Sequence, residues 1–265
     1  MSPIAITTSA GVTEWVLNAE PCNELGTTLL AALEDALAEL ETAIGAGESR
    51  ALIIRSENPR GFSAGADLRE LSEGFETRPE AEHAPALRAF IERIHKLLDR
   101  LDMLPITTIA VIHGVCFGGG LELALTCDLR IVERSARLAF PELRLGIIPG
   151  FGGIPRLERE TSPALVRDLI LSGRSINARK AVETGFACAM APPGKGARQA
   201  RAMAEQCARY DPAVTGRAKA FMKRLPVERL AEERELFLDM ALATPRLREA
   251  LRAFVASDDL RPYLG

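Results

Sequence analysis

An α/β fold with mostly parallel strand pairing, closed by a layer of helices, is what this sequence predicts. Short β-rich apolar runs alternate with stretches of helical periodicity through the first half. A strand–helix–strand order brings strands side by side through helical crossovers, which favours parallel pairing. From about Pro193 the strand-like runs stop and helical segments follow, cut by prolines. With 265 residues the chain can bury a large core in one or two domains. The expected division is an α/β core over residues 1–195 and a helical region over 196–265.

Each element has its own signal. Residues 4–8 and 13–17 read as short strands joined through Gly11. Residues 25–44 carry Leu29, Leu33, Leu37, Leu40 and Ile44 at helical spacing and stop before Gly45. Residues 51–54 are a buried strand, and residues 87–101 return to helical spacing through Leu87, Ile91, Ile94, Leu98 and Leu101. Residues 106–112 and 129–132 are β-rich. Between Leu71 and Pro85 the chain is polar, acidic and broken by Gly74, Pro79 and Pro85, which predicts a surface loop or a mobile cover. Residues 197–210, 212–225 and 228–254 are helical, with breaks at Asp211-Pro212, Pro226 and Pro245.

Apolar residues make up 47% and charged residues 26%, a balance that fits an ordinary globular protein. The formal net charge is −3 and the charges are interspersed, so neither a nucleic acid nor an anionic membrane surface is expected as partner. Cys22, Cys116, Cys127, Cys188 and Cys207 are odd in number and lack metal-ligand spacing. They read as small apolar residues in a reducing compartment, with no metal site. No run approaches the roughly 20 apolar residues of a spanning helix, and the first residues carry no basic region; a cytoplasmic location is the expectation.

Two glutamates, each beside chain built to bend, dominate the chemistry. Gly118-Gly119-Gly120-Leu121-Glu122 opens a helix after the β-rich run that ends at His113-Gly114. Glycines there let a ligand approach the backbone, and the first turn leaves N–H groups unpaired. Tight packing explains the glycines equally well. Ser63-Ala64-Gly65-Ala66-Asp67 follows a strand, and Asp67 can cap the next helix. Alone it is a plain turn; paired with the Gly119 region it supplies a second backbone donor. Glu142 lies in the apolar run 138–150 around Phe140-Pro141, where burial would let it carry a proton near neutral pH. The other reading is an ion pair with Arg144 or Arg156. Glu122 could be a helix-surface charge, although Leu121 and Leu123 flank it. His83 in the polar stretch, His95 on a charged helix face and His113 at a strand end form no ligand pattern. No nucleophile elbow, Walker loop or dinucleotide fingerprint appears.

These residues resemble a known family. The stretches 62–68, 118–124 and 138–150 are similar to the crotonase (enoyl-CoA hydratase/isomerase) superfamily. Support continues in Cys127-Asp128-Leu129-Arg130, in Gly152-Gly153 with Arg156-Leu157, and in Ser175-Ile176-Asn177-Ala178 leading to Gly185. The resemblance covers essentially the whole chain. It implies a crotonase-like spiral of ββα turns that binds acyl-CoA, with residues 196–265 as a helical trimerisation layer. By position, Ala66 and Gly119 match the two residues whose N–H groups hold the thioester oxygen. Glu122 and Glu142 match the hydratase glutamate pair. Ala64, Gly65, Asp67, Leu68, Gly118, Phe140 and Pro141 are expected to line the substrate site.

Three positions depart from the family pattern. Phe140 stands where hydratases often carry a polar residue. Ile154-Pro155 replaces a Thr-Gln pair. Ser257-Asp258-Asp259 follows Phe254 where a basic residue is common. The activity implied is addition of water across the 2,3 double bond of a 2-enoyl-CoA thioester. No cofactor is implied, coenzyme A being part of the substrate, and a homotrimer or homohexamer is expected. The alternatives are a 3-enoyl to 2-enoyl isomerase, another reaction of the superfamily, and a catalytically quiet acyl-CoA-binding protein.

Overall fold

The computed structural model describes residues 2–257. Strands β1 (Ile4–Ser9) and β2 (Val12–Leu17) form an antiparallel hairpin, and helix α1 (Thr27–Gly45) follows. The backbone then repeats one unit. It runs through β3 (Ala51–Ser56), β4 (Gly61–Ser63), α2 (Leu68–Thr77) and α3 (Glu80–Asp102). It repeats as β5 (Thr107–Ile112), β6 (Val115–Phe117) and α4 (Gly119–Leu125). It repeats again as β7 (Leu129–Glu133), β8 (Arg137–Ala139), a 3-10 turn (Glu142–Leu145), α5 (Gly153–Glu160) and α6 (Pro163–Ser172). Strand β9 (Ile176–Asn177), helix α7 (Ala178–Glu183) and strand β10 (Ala189–Ala191) complete the α/β body. The helical region comprises α8 (Gly196–Cys207), α9 (Pro212–Met222), α10 (Val227–Ala243) and α11 (Pro245–Val255).

In each unit the first strand joins one sheet, ordered β1-β2-β3-β5-β7-β10, and the second joins another, ordered β4-β6-β8-β9. Pairing from β2 onward is parallel apart from the β8–β9 pair. The alternation of side chains explains why the central strands read as continuous apolar runs. Leu52, Ile54, Ala110 and Ile112 face the main core with Trp15 and the α1 leucines. Ala51, Ile53, Ile109 and Val111 face the opposite side, which Ala200, Ala204 and Ala208 of the α8 region cover. Both faces are buried, as parallel sheets require.

Three expectations are corrected. The stretch 71–85 is not a loop: it holds the end of α2 and the start of α3, with Pro85 inside α3. Asp67 caps α2 by accepting the Arg69 and Glu70 N–H groups, both at 3.0 Å. The breakers mark only the turn at Arg78-Pro79, and Pro85 forfeits one helical N–H near the helix start. Second, His83 and His95 are buried. His83 Nε2 bonds Arg78 O at 3.0 Å across that turn, and His95 Nε2 donates to Gly150 O at 2.9 Å. Third, the apolar face of the last helices turns inward: Leu230, Phe237, Leu247 and Leu251 are buried within their own chain, while Leu236 stays exposed.

Three arginines of α3 are ion-paired: Arg88 with Glu235, Arg93 with Glu34 and Arg100 with Glu41. Cys22, Cys116 and Cys127 are buried, Cys188 is exposed, and all five cysteines are unbridged. No helix among the described residues is long and apolar enough to cross a membrane.

Candidate active site

A cavity of about 1580 Å³ opens where the β4–α2 turn, the β6–α4 turn and the segment after β8 converge. Ala64, Gly65, Ala66, Asp67 and Leu68 line it from the first of these. Gly118, Gly119 and Glu122 line it from the second, Pro141 and Glu142 from the third. Residues far apart in sequence are thus gathered on one space. Phe140 is the exception and corrects the expectation. It is 1% exposed, packs in the main core and stands outside this lining. The strand alternation through β8 turns its ring away from the cavity while the backbone bend at Pro141 turns Glu142 toward it. The apolar wall includes Leu87 and Phe90 of α3, Phe237 of α10 and Phe254 of α11.

Backbone geometry leaves two N–H groups unclaimed. Leu25 and Ala66 form an isolated parallel bridge. Its bonds run from Leu25 N–H to Gly65 O at 2.7 Å and from Asp67 N–H to Leu25 O at 3.3 Å. The residue between those two contacts turns its own N–H to the other side. Gly119 begins α4, where Leu121 and Glu122 already donate to Gly118 O, so its N–H falls in the unpaired first turn. Among the described residues neither Ala66 N–H nor Gly119 N–H has a protein acceptor. The two turns lie side by side: a Cβ on Gly65 would stand 3.3 Å from Gly119 N.

Glu122 is 2% exposed on a wholly buried helix, so the surface-charge reading fails. Its Oε1 accepts the Phe151 N–H at 2.8 Å. Burial raises its carboxyl to about 7, against the pull of the Phe151 amide, Arg156 and the Gly153 amide. Glu142 opens the 3-10 turn, with Oε2 shielded from solvent and lacking a hydrogen-bond partner. Burial, followed by the nearby charge of Glu122, pushes it well above the usual carboxylate range. The ion-pair reading fails too. Arg144 donates to Gly173 O at 2.8 Å, and Arg156 is held by Asp102 at 2.9 Å and Asp99 at 2.5 Å. The cavity therefore has one carboxyl poised near neutrality and one that keeps its proton.

A third buried carboxyl escaped the sequence reading. Glu233 of α10 is 5% exposed and accepts the Ile154 N–H at 2.7 Å. It shares an apolar stripe with Leu230 and Phe237, and a charge inside such a stripe was the available signal. The Ile154-Pro155 departure also finds its reason here. Ile154 supplies that N–H, and Pro155 lies in the first turn of α5, where its missing donor had no helical acceptor. In the third departure, Asp258 and Asp259 lie outside the described residues.

The family model for Enoyl-CoA hydratase/isomerase matches residues 7–258, and the chain belongs to that family. It is 37% identical over 211 residues to "Enoyl-CoA isomerase/hydratase fer4" of Mycosarcoma maydis, covering 77% of this chain and 73% of that protein. It is 39% identical over 164 residues to "Methylglutaconyl-CoA hydratase, mitochondrial" of Rattus norvegicus, covering 62% of this chain. The match spans about half of that relative, 49% of its length. Among solved structures, an enoyl-CoA hydratase/isomerase from Xanthobacter autotrophicus Py2 superposes with a TM-score of 0.83 at 25% identity. That superposition covers 99% of this chain and 96% of the other, so the ββα spiral with its helical end is the crotonase fold.

Proposed function

We propose that this protein hydrates 2-enoyl-CoA thioesters. The observation that carries the reading is a pair of buried carboxyls of unequal acidity facing one cavity beside two unclaimed N–H groups. In this scheme the Ala66 and Gly119 N–H groups receive the thioester oxygen and hold the charge that grows on it as an enolate forms. Glu122, ionised in part at neutral pH, takes a proton from the water that attacks the β-carbon. Glu142, still protonated, gives its proton to the α-carbon. The scheme needs no metal or redox cofactor, since the coenzyme A belongs to the substrate. We take the working form to be a cytoplasmic homotrimer or homohexamer.

A relative named isomerase/hydratase keeps 3-enoyl to 2-enoyl isomerisation as the second reading. There one glutamate shuttles a proton and no water is fixed. The presence of two carboxyls on the cavity favours hydration. Loss of the conjugated enoyl absorbance across a panel of 2-enoyl thioesters tests the first reading. Appearance of that absorbance from 3-enoyl thioesters, without hydration of the 2-enoyl panel, would replace it with the second.

A further inference from the structure

We propose that Glu233, reaching in from the C-terminal helix, is a positioning residue: it fixes the turn 150–154 whose amides orient the Glu122 carboxylate. The inference rests on the reading of Glu122 as the cavity's base, and it gives α10 a part in catalysis within its own chain.

The turn is gripped from two sides. Glu122 accepts the Phe151 N–H at 2.8 Å from the α4 side, and Glu233 accepts the Ile154 N–H at 2.7 Å from the α10 side. Close approach is built into the glycines between them. A Cβ on Gly153 would stand 2.8 Å from Glu122 Oε1, and one on Gly152 would stand 2.6 Å from Leu230 Cδ2. A Cβ on Gly150 would meet the Phe237 ring at 2.5 Å. Leu230, Glu233 and Phe237 lie on one face of α10, so a single helix face presses the whole turn toward Glu122. From the remaining side, Arg156 donates to Phe151 O at 3.0 Å and Gly152 O at 3.2 Å, and His95 holds Gly150 O.

The charged and titratable groups of this neighbourhood are Glu122 from α4, Glu142 from the 3-10 turn and Arg156 from α5. His95, Asp99 and Asp102 of α3 and Arg234 of α10 also belong to it. The Ile154 and Gly152 amides and Arg156, which is shared with Asp102 and Asp99, pull the Glu233 carboxyl down only in part. Burial, then the charge of Glu122, pushes Glu233 well above the usual carboxylate range. Its Oε1 is shielded from solvent and has no hydrogen-bond partner. Glu233 therefore works as an uncharged acceptor that places an amide without adding a second negative charge beside the base.

The test compares Glu233→Met, which keeps length and loses the acceptor, with Glu233→Gln, which keeps the acceptor. In protein carrying ¹³Cδ-labelled glutamate, the Glu122 carboxyl is followed by NMR across pH, with Glu122→Gln giving the assignment. The wild-type midpoint is expected near 7. Glu233→Met should raise it by about half a pH unit or more, because the relaxed turn no longer aims the Phe151 N–H at the ionised form. Glu233→Gln should hold it within about 0.3 of wild type, since the amide mimics the neutral acid. Turnover should fall about 10- to 100-fold in kcat for Glu233→Met, with KM little changed, and Glu233→Gln should recover most of that loss. A folded Glu233→Met with wild-type midpoint and kcat overturns the proposal, as does a Glu233→Gln as impaired as Glu233→Met. Should Glu233→Met not fold, Glu233→Leu, which also lacks the acceptor, takes its place with the same expected and overturning outcomes. A midpoint lowered by about one pH unit or more would mean that Glu233 acts as a charge, and the proposal falls. The titration needs no substrate, so a wild-type protein that fails to hydrate sinks the functional reading and leaves this measurement standing.

Discussion

Glu142 Oε1 occupies the space a side chain on Gly118 would need: a Cβ there would stand 2.5 Å from that oxygen. Gly118 also has φ +47, a region that L side chains rarely adopt. Gly118→Ala should therefore displace the acid group while leaving the cavity wall formed by α3 and α10 in place. The expected result is a fall in kcat of about 100-fold with a smaller change in KM. Steady-state hydration kinetics on the purified variant check it, and a wild-type kcat would mean that Glu142 does not need its present position.

Glu122→Gln and Glu142→Gln should each lower hydration by about 100-fold or more in protein that stays folded, the usual scale for a general acid or base. The pH profile carries the sign. Glu122 must be ionised to accept a proton, so kcat/KM should rise as pH increases through about 7. Glu142 must hold its proton, so the rate should fall again at higher pH, where its raised affinity is finally exceeded. If Glu142→Gln abolishes isomerisation and Glu122→Gln spares it, the isomerase reading takes over.

Asp102 ties the site to the stability of the fold. It is fully buried and accepts from Arg156, Arg159 and Lys223 at 2.9–3.0 Å. Burial alone would raise its carboxyl, but Lys223, Arg156 and Arg159 outweigh that and hold it down to about 2. Asp102→Asn should cost roughly 3–5 kcal/mol, because three cations lose their shared anion. A folded carboxyl held below the unfolded value, near 3.9, contributes stability that is complete above that pH. The contribution is lost as pH falls toward about 2, so the gap between wild type and Asp102→Asn should shrink across that window. Urea unfolding of both proteins from pH 5 downward would show it, and a gap independent of pH would refute the assignment.

The strand–helix alternation and the site glutamates were legible because their signals are local, whereas the ββα order came from the family resemblance. Apolar runs marked β2, β3, β5 and β7, and glycines marked the bend before Glu122. The second sheet was largely missed: β4, β6 and β8 are three residues each, too short to display a period. Phe140 was misjudged because proximity in sequence to Glu142 does not fix the side on which a strand residue points. Glu233 was missed for a different reason. Its role depends on α10 crossing a turn about 80 residues earlier, a tertiary contact that no spacing in the chain encodes.

Assembly is the remaining prediction. Phe221 and Met222 at the end of α9 are 78% and 76% exposed, and Val214 in the first turn of α9 and Val227 at the start of α10 are also exposed. Exposed apolar side chains along α9 and at the start of α10 call for a cover, and closed cyclic symmetry supplies one without leaving open ends. The intact protein should therefore scatter light as a multiple of 28.7 kDa. Phe221→Glu combined with Met222→Glu should shift it toward the single chain, since burying two carboxylates in an interface without partners is costly. Phe237 and Phe254 line the cavity from the same chain, so the dissociated variant should still bind an acyl-CoA thioester. A wild-type protein that runs as a clean 28.7 kDa monomer at micromolar concentration would sink the oligomer and leave α10 and α11 as a cover for their own chain's cavity.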